Sequence, residues 1–310
     1  MRAVIAAADK SVLPPFHRVS AIEARRLYKE TRAALSPSAP EVGEVRNLAA
    51  PGPAGPIPLR LYRGRGTVGG VPLPALVYFH GGGWTVGDLD THDVVCRTLA
   101  NRARCVVIAT DYRMGPEHRF PAAVDDSLAV TRWVAQERVA LGIDAARIAV
   151  GGDSAGGNLA AVVALALRDA GGPQLVFQAL IYPVTDQRLE FASHAKFSEG
   201  YLLTRKNLLW FRDNYLEAAD YDDWRASPLR AADLAHLPPA HIITAGYDPL
   251  LDEGKAYSDR LLAAGVPVLY ECFEGMAHGF LTMGGALAAA NHALYRIGQS
   301  LAQAFKPGRE

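Results

Sequence analysis

Cysteine is scarce in this chain: its 310 residues include three, Cys96, Cys105 and Cys272, which are far apart. An odd number at wide spacing argues against a disulfide framework or a zinc site, and is typical of free thiols in a reducing compartment. Long hydrophobic runs are absent too. None approaches the ~18 residues of a membrane span, and the apolar stretch after Arg2 ends at Asp9, too early for a signal peptide. We therefore expect a cytoplasmic protein without a membrane segment.

Net charge is also absent, because 32 Lys and Arg balance 32 Asp and Glu. A neutral chain provides no field that would attract nucleic acid or an anionic membrane surface, so we expect neither partner. Half of the residues are hydrophobic, which is enough to bury a large core. These features favour a small molecule as the partner.

Apolar, β-branched runs alternate with helical patterns along most of the chain. The predicted strands are 74–79, 105–110, 147–150, 175–181, 241–244 and 268–273. The runs are continuously hydrophobic, which is typical of parallel strands buried on both faces. Between them, Pro121 marks one helix start, and a second, apolar helix ends at glycines before Pro173. The pattern predicts an α/β fold with a mostly parallel central sheet flanked by helices.

Two regions interrupt this alternation, residues 1–50 and 187–235. The first contains a helix that begins at a capping box of Ser20 and Glu23 and then gives way to Pro- and Gly-rich sequence. The second is far longer than the ~15 residues that an unstructured loop tolerates, and its helix has an N-cap at Thr204. We predict that both regions form one helical cap.

The predicted cap divides the chain into four segments. They are an N-terminal cap segment at 1–50, the first part of the core at 51–186, a cap insertion at 187–235 and the second part of the core at 236–310. Within the insertion, Trp210, Phe211 and Trp224 are predicted to form the hydrophobic core of the cap itself.

The glycines of GRGTVGG, Gly64, Gly66 and Gly69, match the spacing of a dinucleotide fingerprint. Prolines and a strand follow them rather than a helix, so there is no helix N-terminus to hold a pyrophosphate. The segment predicts a hairpin-like surface turn instead. No P-loop or HExxH motif appears, and we expect neither a cofactor nor a metal.

The segment GGDSAGG, at 151–157, lies between a predicted strand and the apolar helix. It contains G-x-S-x-G in the order strand, tight turn, helix, which places a serine at a sharp, strained turn with its hydroxyl exposed above the sheet edge. Glycines on both sides avoid clashes with adjacent backbone. We predict that Ser154 is a nucleophile; a glycine-rich turn with a serine N-cap is the simpler alternative.

A serine hydroxyl is a weak nucleophile, so this prediction requires a base and an orienting acid. Asp248 and His278 each follow the end of a predicted strand, at the same sheet edge as Ser154 and in the expected chain order. Glycines on either side of His278 would let its imidazole reach across. Asp248, which precedes a proline, could also be an ordinary helix N-cap. The weaker candidates are Asp252 and Glu253 as acids and His292 as base.

Three consecutive glycines follow the strand at 74–79 in the segment HGGGW, residues 80–84. Attack on a carbonyl builds charge on its oxygen, and each amide aimed at that charge typically contributes ~3 kcal/mol. Glycines let two amides turn toward one point, and the amide of Ala155 supplies a third. His80 is predicted to brace this loop rather than to react.

Five segments, in this order, resemble the motifs of the hormone-sensitive-lipase-like family of bacterial carboxylesterases, within the α/β-hydrolase superfamily. They are HGGGW, DYRMGPEHRFPAAVDD, GGDSAGGNLA, AGYDPLLDEG and GMAHGF, and the resemblance covers roughly residues 57–300. It implies the α/β-hydrolase fold with a helical cap, and a preference for esters with short or medium acyl chains. It implies Ser154 as nucleophile, Asp248 as acid and His278 as base.

The resemblance also implies an oxyanion hole, formed by Gly82, Gly83 and Ala155. We assign supporting roles to His80, Gly81 and Asp153. Arg113, Glu117 and His118, in the second motif, are predicted to form an ion-pair and hydrogen-bond network that supports the glycine loop.

Two other classes of function remain open. An amidase, lactonase or peptidase could use the same three side chains, and a non-catalytic receptor could bind a ligand under the same cap. The presence of all three side chains argues against the receptor. The expected partner is a small-molecule ester, and a terminal strand such as 268–273 could pair with a second copy to form a homodimer.

Overall fold

One eight-stranded sheet organises the described residues of this computed structural model, which are 1–10, 13–67 and 70–306. Its strands are β1 (Glu44–Gly52), β2 (Gly55–Arg63), β3 (Leu73–Phe79), β4 (Val106–Thr110), β5 (Ile143–Asp153), β6 (Leu175–Ile181), β7 (Ala240–Tyr247) and β8 (Val268–Ala277). They lie in the order β1-β2-β4-β3-β5-β6-β7-β8. Strands β3 to β8 run parallel to one another, whereas β1 and β2 pair in an antiparallel manner. The predicted α/β fold with a mostly parallel sheet is confirmed.

Helices cover both faces of this sheet. They are α1 (Arg2–Asp9), α2 (Ala21–Leu35), α3 (Asp93–Ala103), α4 (Ala122–Gln136), α5 (Arg138–Leu141), α6 (Ala155–Asp169), α7 (Ala192–Lys196), α8 (Arg205–Tyr215), α9 (Leu251–Ala263) and α10 (Ala288–Ala304). Four short 3-10 helices occur at Phe16–Arg18, Ala218–Asp220, Pro228–Arg230 and Phe280–Thr282 in the described part of the chain. None of the helices described is both long and apolar enough to cross a bilayer.

The central strands contribute side chains to two separate cores. Val77 and Val150 face a core that includes α4, α6 and α9, whereas Leu76 and Ala149 face a core that includes α3 and α10. Because both faces are covered, successive residues of a strand are all buried. This burial explains why the sequence of these strands is continuously apolar.

The hairpin of β1 and β2 departs from the sequence analysis, which predicts no strand before residue 74. β1 begins at Glu44, so the predicted boundary between cap and core at residue 50 falls inside a strand of the sheet. The prolines of this segment are untypical of strands. Pro51 lies on the edge strand β1, and Pro56 and Pro58 precede Leu59, where β2 begins to pair with β4, so all three are at positions where a proline is tolerated. The buried side chains of Ile57, Leu59 and Leu61 recur at every second position, and that period is the signal that indicates β2.

The two regions of the predicted cap contact each other. Phe16, just before α2, packs against Trp210 and Phe211 of α8, with ring centroids 6.4 and 6.0 Å apart. His17 Nδ1 lies 2.9 Å from Asn207 Oδ1. Since α2 and α8 are distant in sequence, these contacts hold the two regions together.

Both predicted N-caps of these helices are present. The side chain of Ser20 accepts a hydrogen bond from the Glu23 amide, and that of Thr204 accepts one from the Asn207 amide. Trp224 differs from the prediction, because it packs against the main core rather than within the cap.

The glycine segment after β2 forms a turn. The Thr67 amide donates to the Gly64 carbonyl at 3.3 Å, and Gly66 has a φ of +71°. Strand β3 follows, so the segment does not lead into a helix. Gly69 lies outside the described residues.

Candidate active site

Ser154 occupies the sharp turn between β5 and α6. Its backbone, with φ +57° and ψ −120°, lies in a region that residues with a side chain rarely adopt. A Cβ atom at Gly156 or at Gly152 would clash with the carbonyl oxygen of Phe79 on β3. The glycines therefore permit α6 to approach the sheet closely, and the strained turn fixes the position of the serine.

Ser154, His278 and Asp248 form a continuous hydrogen-bonded chain. His278 Nε2 lies 2.8 Å from Ser154 Oγ, and His278 Nδ1 lies 2.7 Å from Asp248 Oδ2. The other oxygen of Asp248 accepts a hydrogen bond from the Leu250 amide at 2.9 Å, and the carboxylate is fully buried. Because an ionised carboxylate can only accept, the His278 Nδ1–H donates to it and Nε2 is left to accept from the serine hydroxyl.

The sheet topology explains why these residues meet. β5, β7 and β8 are parallel, so residues that follow their carboxyl ends lie at one edge. His278 is separated from Ser154 by 124 positions in sequence, yet each follows directly on its strand. Crevices at this edge of open α/β sheets are where ligands generally bind.

The helix after β7 begins at Leu251, with Leu250 as its N-cap residue, so the alternative in which Asp248 is an ordinary helix N-cap does not hold. Asp248 lies in the preceding turn, where one carboxylate oxygen is committed to His278. The Leu250 amide that it does bind belongs to that turn.

The weaker candidates for the acid and the base make contacts away from Ser154. Asp252 Oδ2 accepts from the Ser193 amide at 2.8 Å, and Glu253 Oε2 lies 2.8 Å from His194 Nε2. These contacts fasten α7 to α9. His292 lies on α10, where its ring packs against neighbouring aromatic rings rather than near Ser154.

The three glycines of HGGGW are each required by a close contact. A Cβ atom at Gly81 would meet the carboxylate of Asp153, one at Gly82 the carbonyl of Val86, and one at Gly83 the ring of Phe211. Gly82 and Gly83 also have φ values of +124° and +57°. The loop passes so tightly between β5 and the cap that only glycine fits.

The amides of Gly82, Gly83 and Ala155 are available to a ligand. None of the three donates a hydrogen bond to another group within residues 1–10, 13–67 and 70–306. Gly82 and Gly83 line the same pocket as Ser154, and Ala155 is the first residue of α6, where amides have no partner within the helix. Unpaired amides at this point can stabilise a negative charge.

A pocket of about 830 Å³, including its open mouth, lies above Ser154 and His278. Its apolar wall comes mostly from the two regions of the predicted cap: Phe16, Leu189, Leu202, Leu203, Leu208 and Phe211. The reacting groups thus lie at the base of a largely apolar cavity. Such a cavity suits a small molecule that buries apolar surface and is oriented by a few polar groups.

Residues 76–282 match a family described as having the alpha/beta hydrolase fold. The chain belongs to this α/β-hydrolase family. It is 47% identical to the carboxylic ester hydrolase LipN of Mycobacterium tuberculosis over 80% of this chain and 68% of LipN. It is 40% identical to an ethyl acetate hydrolase of Pseudomonas putida over 93% of this chain and 92% of that protein.

A solved structure has nearly the same fold as this α/β hydrolase. It is an ester hydrolase from the metagenome of Lake Arreo, complexed with a derivative of bipyridine phosphonate, and it is 44% identical in sequence. The two structures superpose with a TM-score of 0.95, and the match covers 98% of each chain. The resemblance to hormone-sensitive-lipase-like carboxylesterases that the five motifs predicted is confirmed.

Asp153, the last residue of β5, holds the glycine loop of the hydrolase through a hydrogen bond to its backbone. Its Oδ1 accepts from the Tyr78 hydroxyl at 2.8 Å and from the Gly81 amide at 3.0 Å, and it lies 3.2 Å from His92 Nε2. Burial alone would raise the pKa of Asp153, but His92 and the hydrogen bonds outweigh it and hold that pKa at about 2. The carboxylate therefore stays ionised and fixes the loop.

His80 supports the loop from the side. Its ring stacks on Tyr112 with centroids 4.5 Å apart, its Nδ1 lies 2.9 Å from the Gly81 oxygen, and the Tyr112 hydroxyl donates to the His80 carbonyl at 2.7 Å. Burial, and then the neighbouring His92, lower the pKa of His80 to about 4. His80 is thus an uncharged, buried side chain at neutral pH, which supports the predicted bracing role.

His80 is expected to make the folded hydrolase less stable in mild acid. Since its pKa is lower in the folded state than the ordinary 6.5, the unfolded chain binds more protons between pH 6.5 and about 4. The contribution of neutral His80 to the free energy of unfolding is therefore fully present above pH 6.5. It falls by ~3 kcal/mol as pH decreases to about 4. Urea denaturation of the wild type and of His80→Phe, which keeps the stacking on Tyr112, measures this: the wild type should lose ~3 kcal/mol more than the variant. Equal losses in the two proteins would contradict this assignment.

The predicted network in the second motif divides into two pairs. Arg113 binds Asp126 through both carboxylate oxygens, at 2.8 and 2.9 Å, while Glu117 pairs with Arg25 of α2 at 2.6 Å. The side chain of His118 is exposed and has no hydrogen-bond partner in the described part of the chain. The network as predicted is therefore wrong.

Arg25 is a supporting residue that the sequence analysis missed. Its guanidinium donates to the carbonyl oxygens of Thr85 and Gly115, each at 2.8 Å, in addition to Glu117. It thereby joins α2 to the loop that follows the glycines. Nothing in the local sequence distinguishes Arg25 from Arg26, which pairs with exposed glutamates of its own helix.

Proposed function

We propose that this chain is a serine carboxylesterase that hydrolyses esters of short or medium acyl chain through an acyl-enzyme on Ser154. The observation that carries the proposal is the hydrogen-bonded chain from Ser154 through His278 to the buried Asp248. The names of the similar proteins agree with ester hydrolysis, since LipN is a carboxylic ester hydrolase and the Pseudomonas putida relative is an ethyl acetate hydrolase.

In the proposed mechanism, His278 Nε2 takes the proton of the Ser154 hydroxyl as the serine oxygen attacks the ester carbonyl. Asp248 holds the imidazole in the tautomer with a proton on Nδ1 and stabilises the imidazolium that forms. The amides of Gly82, Gly83 and Ala155 would bind the carbonyl oxygen as it becomes negative.

The attack forms a tetrahedral intermediate. When this intermediate collapses, the bond to the alcohol oxygen breaks, and the imidazolium of His278 gives its proton to that oxygen. A water molecule then repeats the attack on the acyl-enzyme, with His278 again as the base. Carboxylic acid is released and Ser154 is restored. The two regions of the cap, which wall the pocket, would limit the acyl chain to what fits among their leucines.

The proposal is tested with a series of p-nitrophenyl esters, from acetate through butyrate and octanoate to laurate, alongside the matched p-nitroanilides. We expect kcat/KM to be highest for acetate to octanoate, to fall for laurate, and to be far lower for every anilide. After reaction with an aryl phosphonate, mass spectrometry of peptides should locate the adduct on Ser154. An adduct on another residue, or anilides cleaved as fast as esters, would overturn the proposal.

A further inference from the structure

Arg32, near the end of α2, lines the pocket next to His278. A Cβ atom at Gly279, the residue after His278, would lie 3.1 Å from Arg32 Nη2. Gly279 and Arg32 both belong to the pocket wall, together with Ser154 and His278. The guanidinium of Arg32 is therefore a positive charge placed beside the reacting groups.

The guanidinium of Arg32 has few partners. Its carbon atom lies 4.8 Å from the centroid of the Tyr28 ring, and the guanidinium also interacts with the Tyr28 hydroxyl. In the part of the chain that the structure describes, no carboxylate lies within ion-pairing distance of Arg32, and the buried Nε–H finds no acceptor. Apart from the contact with Tyr28, the N–H groups that can bind a carboxylate in a fork have no carboxylate partner among the described residues.

Arg212, a second arginine of the pocket wall, has more contacts, although its buried Nε–H likewise finds no hydrogen-bond acceptor among the described residues. Arg212 donates to the Gln187 carbonyl at 3.2 Å, lies 3.6 Å from Asp213, and its guanidinium covers the Tyr221 ring at 4.3 Å. Its position is explained by the structure of the cap. Among the described residues, the contacts of the Arg32 guanidinium are with Tyr28.

The carboxylate in the described pocket wall, that of Asp153, does not neutralise the positive charge of Arg32. Asp153, the only carboxylate among the described residues of the wall, is directed to Tyr78, Gly81 and His92 beneath the glycine loop. Arg32 is partly exposed, but its Nε is buried without an acceptor among the described residues, and a ligand carboxylate would supply both an acceptor and a counter-charge. The pocket is thus complementary to an anionic group.

We infer that Arg32 binds a carboxylate carried by the substrate, and that this carboxylate belongs to the alcohol part of the ester. The inference depends on the proposed function, in which His278 donates its proton to the leaving alcohol. Since Arg32 adjoins Gly279, on the His278 side of the pocket, the group nearest to it is the leaving alcohol and not the oxyanion. The substrate class is therefore O-acyl esters of hydroxycarboxylic acids.

The test uses acetate esters of glycolate, β-hydroxypropionate and γ-hydroxybutyrate, each beside its primary amide, which has the same shape without the charge. The wild type should hydrolyse at least one carboxylate with a kcat/KM about tenfold or more above that of its amide. The chain length with the highest ratio reports the distance from the ester to Arg32. Ethyl hydrogen succinate and ethyl succinamate, which carry the corresponding groups on the acyl part, should show no such ratio.

Arg32→Gln and Arg32→Met should abolish the preference for the carboxylate, while Arg32→Lys, which lacks the planar fork, should retain a part of it. Arg26→Gln, on the exposed side of the same helix, is the matched control and should leave the preference unchanged. The measured quantity is a ratio of two substrates in one protein sample, so it does not depend on the fraction that folds.

A wild type that prefers the amides, a preference that persists in Arg32→Gln, or a preference for succinate esters instead would each overturn the inference. If the proposed function itself is wrong, the measurements give a different result. In that case the neutral amides and the p-nitrophenyl esters would not be hydrolysed in a manner that depends on Ser154.

Discussion

Replacing Ser154 with alanine is expected to lower kcat/KM for a p-nitrophenyl ester by a factor on the order of 10⁴ to 10⁶, the largest effect of any single substitution considered for this chain. The variant loses the oxygen that forms the acyl-enzyme, while the amides of the glycine loop still bind the substrate. The remaining rate should come from these amides and from binding alone. Initial-rate measurement on the purified variant gives this factor.

Ser258→Ala is the matched control for this substitution. Ser258 lies on α9, is buried, and its hydroxyl finds no hydrogen-bond partner in the described part of the structure. Its removal should leave the rate unchanged. If Ser154→Ala keeps more than about a tenth of the wild-type rate, another residue is the nucleophile and the mechanism is wrong.

Replacing Asp248 with asparagine is expected to lower kcat by a factor on the order of 10⁴ with little change in KM. Asparagine can still accept the Leu250 amide, so the turn is retained. Its NH₂ group, however, would donate toward His278 Nδ1 and favour the tautomer with a proton on Nε2, which cannot accept from Ser154. Steady-state kinetics together with thermal unfolding separate this loss of tautomer control from loss of the fold.

Asp252→Asn is the comparison for Asp248→Asn. Asp252 lies in the first turn of α9, and its carboxylate accepts from the Ser193 amide rather than from the imidazole. Its substitution should change the rate by less than about tenfold, because only the attachment of α7 is weakened. A larger loss in Asp252→Asn than in Asp248→Asn would show that the acid has been wrongly assigned.

The positions of the three reacting side chains followed from local patterns. Ser154 belongs to a strand, turn and helix motif, and Asp248 and His278 each follow an apolar run. In a parallel sheet, residues at the carboxyl ends of strands share an edge, so their proximity could be predicted without coordinates. The hairpin of β1 and β2 could not be predicted, because its prolines and glycines are typical of loops. They are acceptable in the sheet only because they lie on the edge strand β1 or before β2 begins to pair with β4.

The supporting contacts were largely beyond sequence reasoning. The Asp153 carboxylate meets Tyr78 and His92, which precede it by 75 and 61 residues, and Arg25 reaches Glu117 over 92 residues. No period or motif connects such pairs. Arg26 and Arg25 are adjacent in sequence, yet one pairs within its helix and the other reaches the glycine loop.

The sequence by itself determined the parallel sheet, the glycines around Ser154 and the chain order of serine, acid and histidine, because backbone conformation and burial impose these residue types locally. Only the tertiary structure decided which carboxylate faces His278, which arginine holds the loop and which arginine lines the pocket without a carboxylate partner among the described residues. The physical reason is that charges and hydrogen bonds act over a few ångströms in space, and the fold sets those distances between residues that are far apart in the chain.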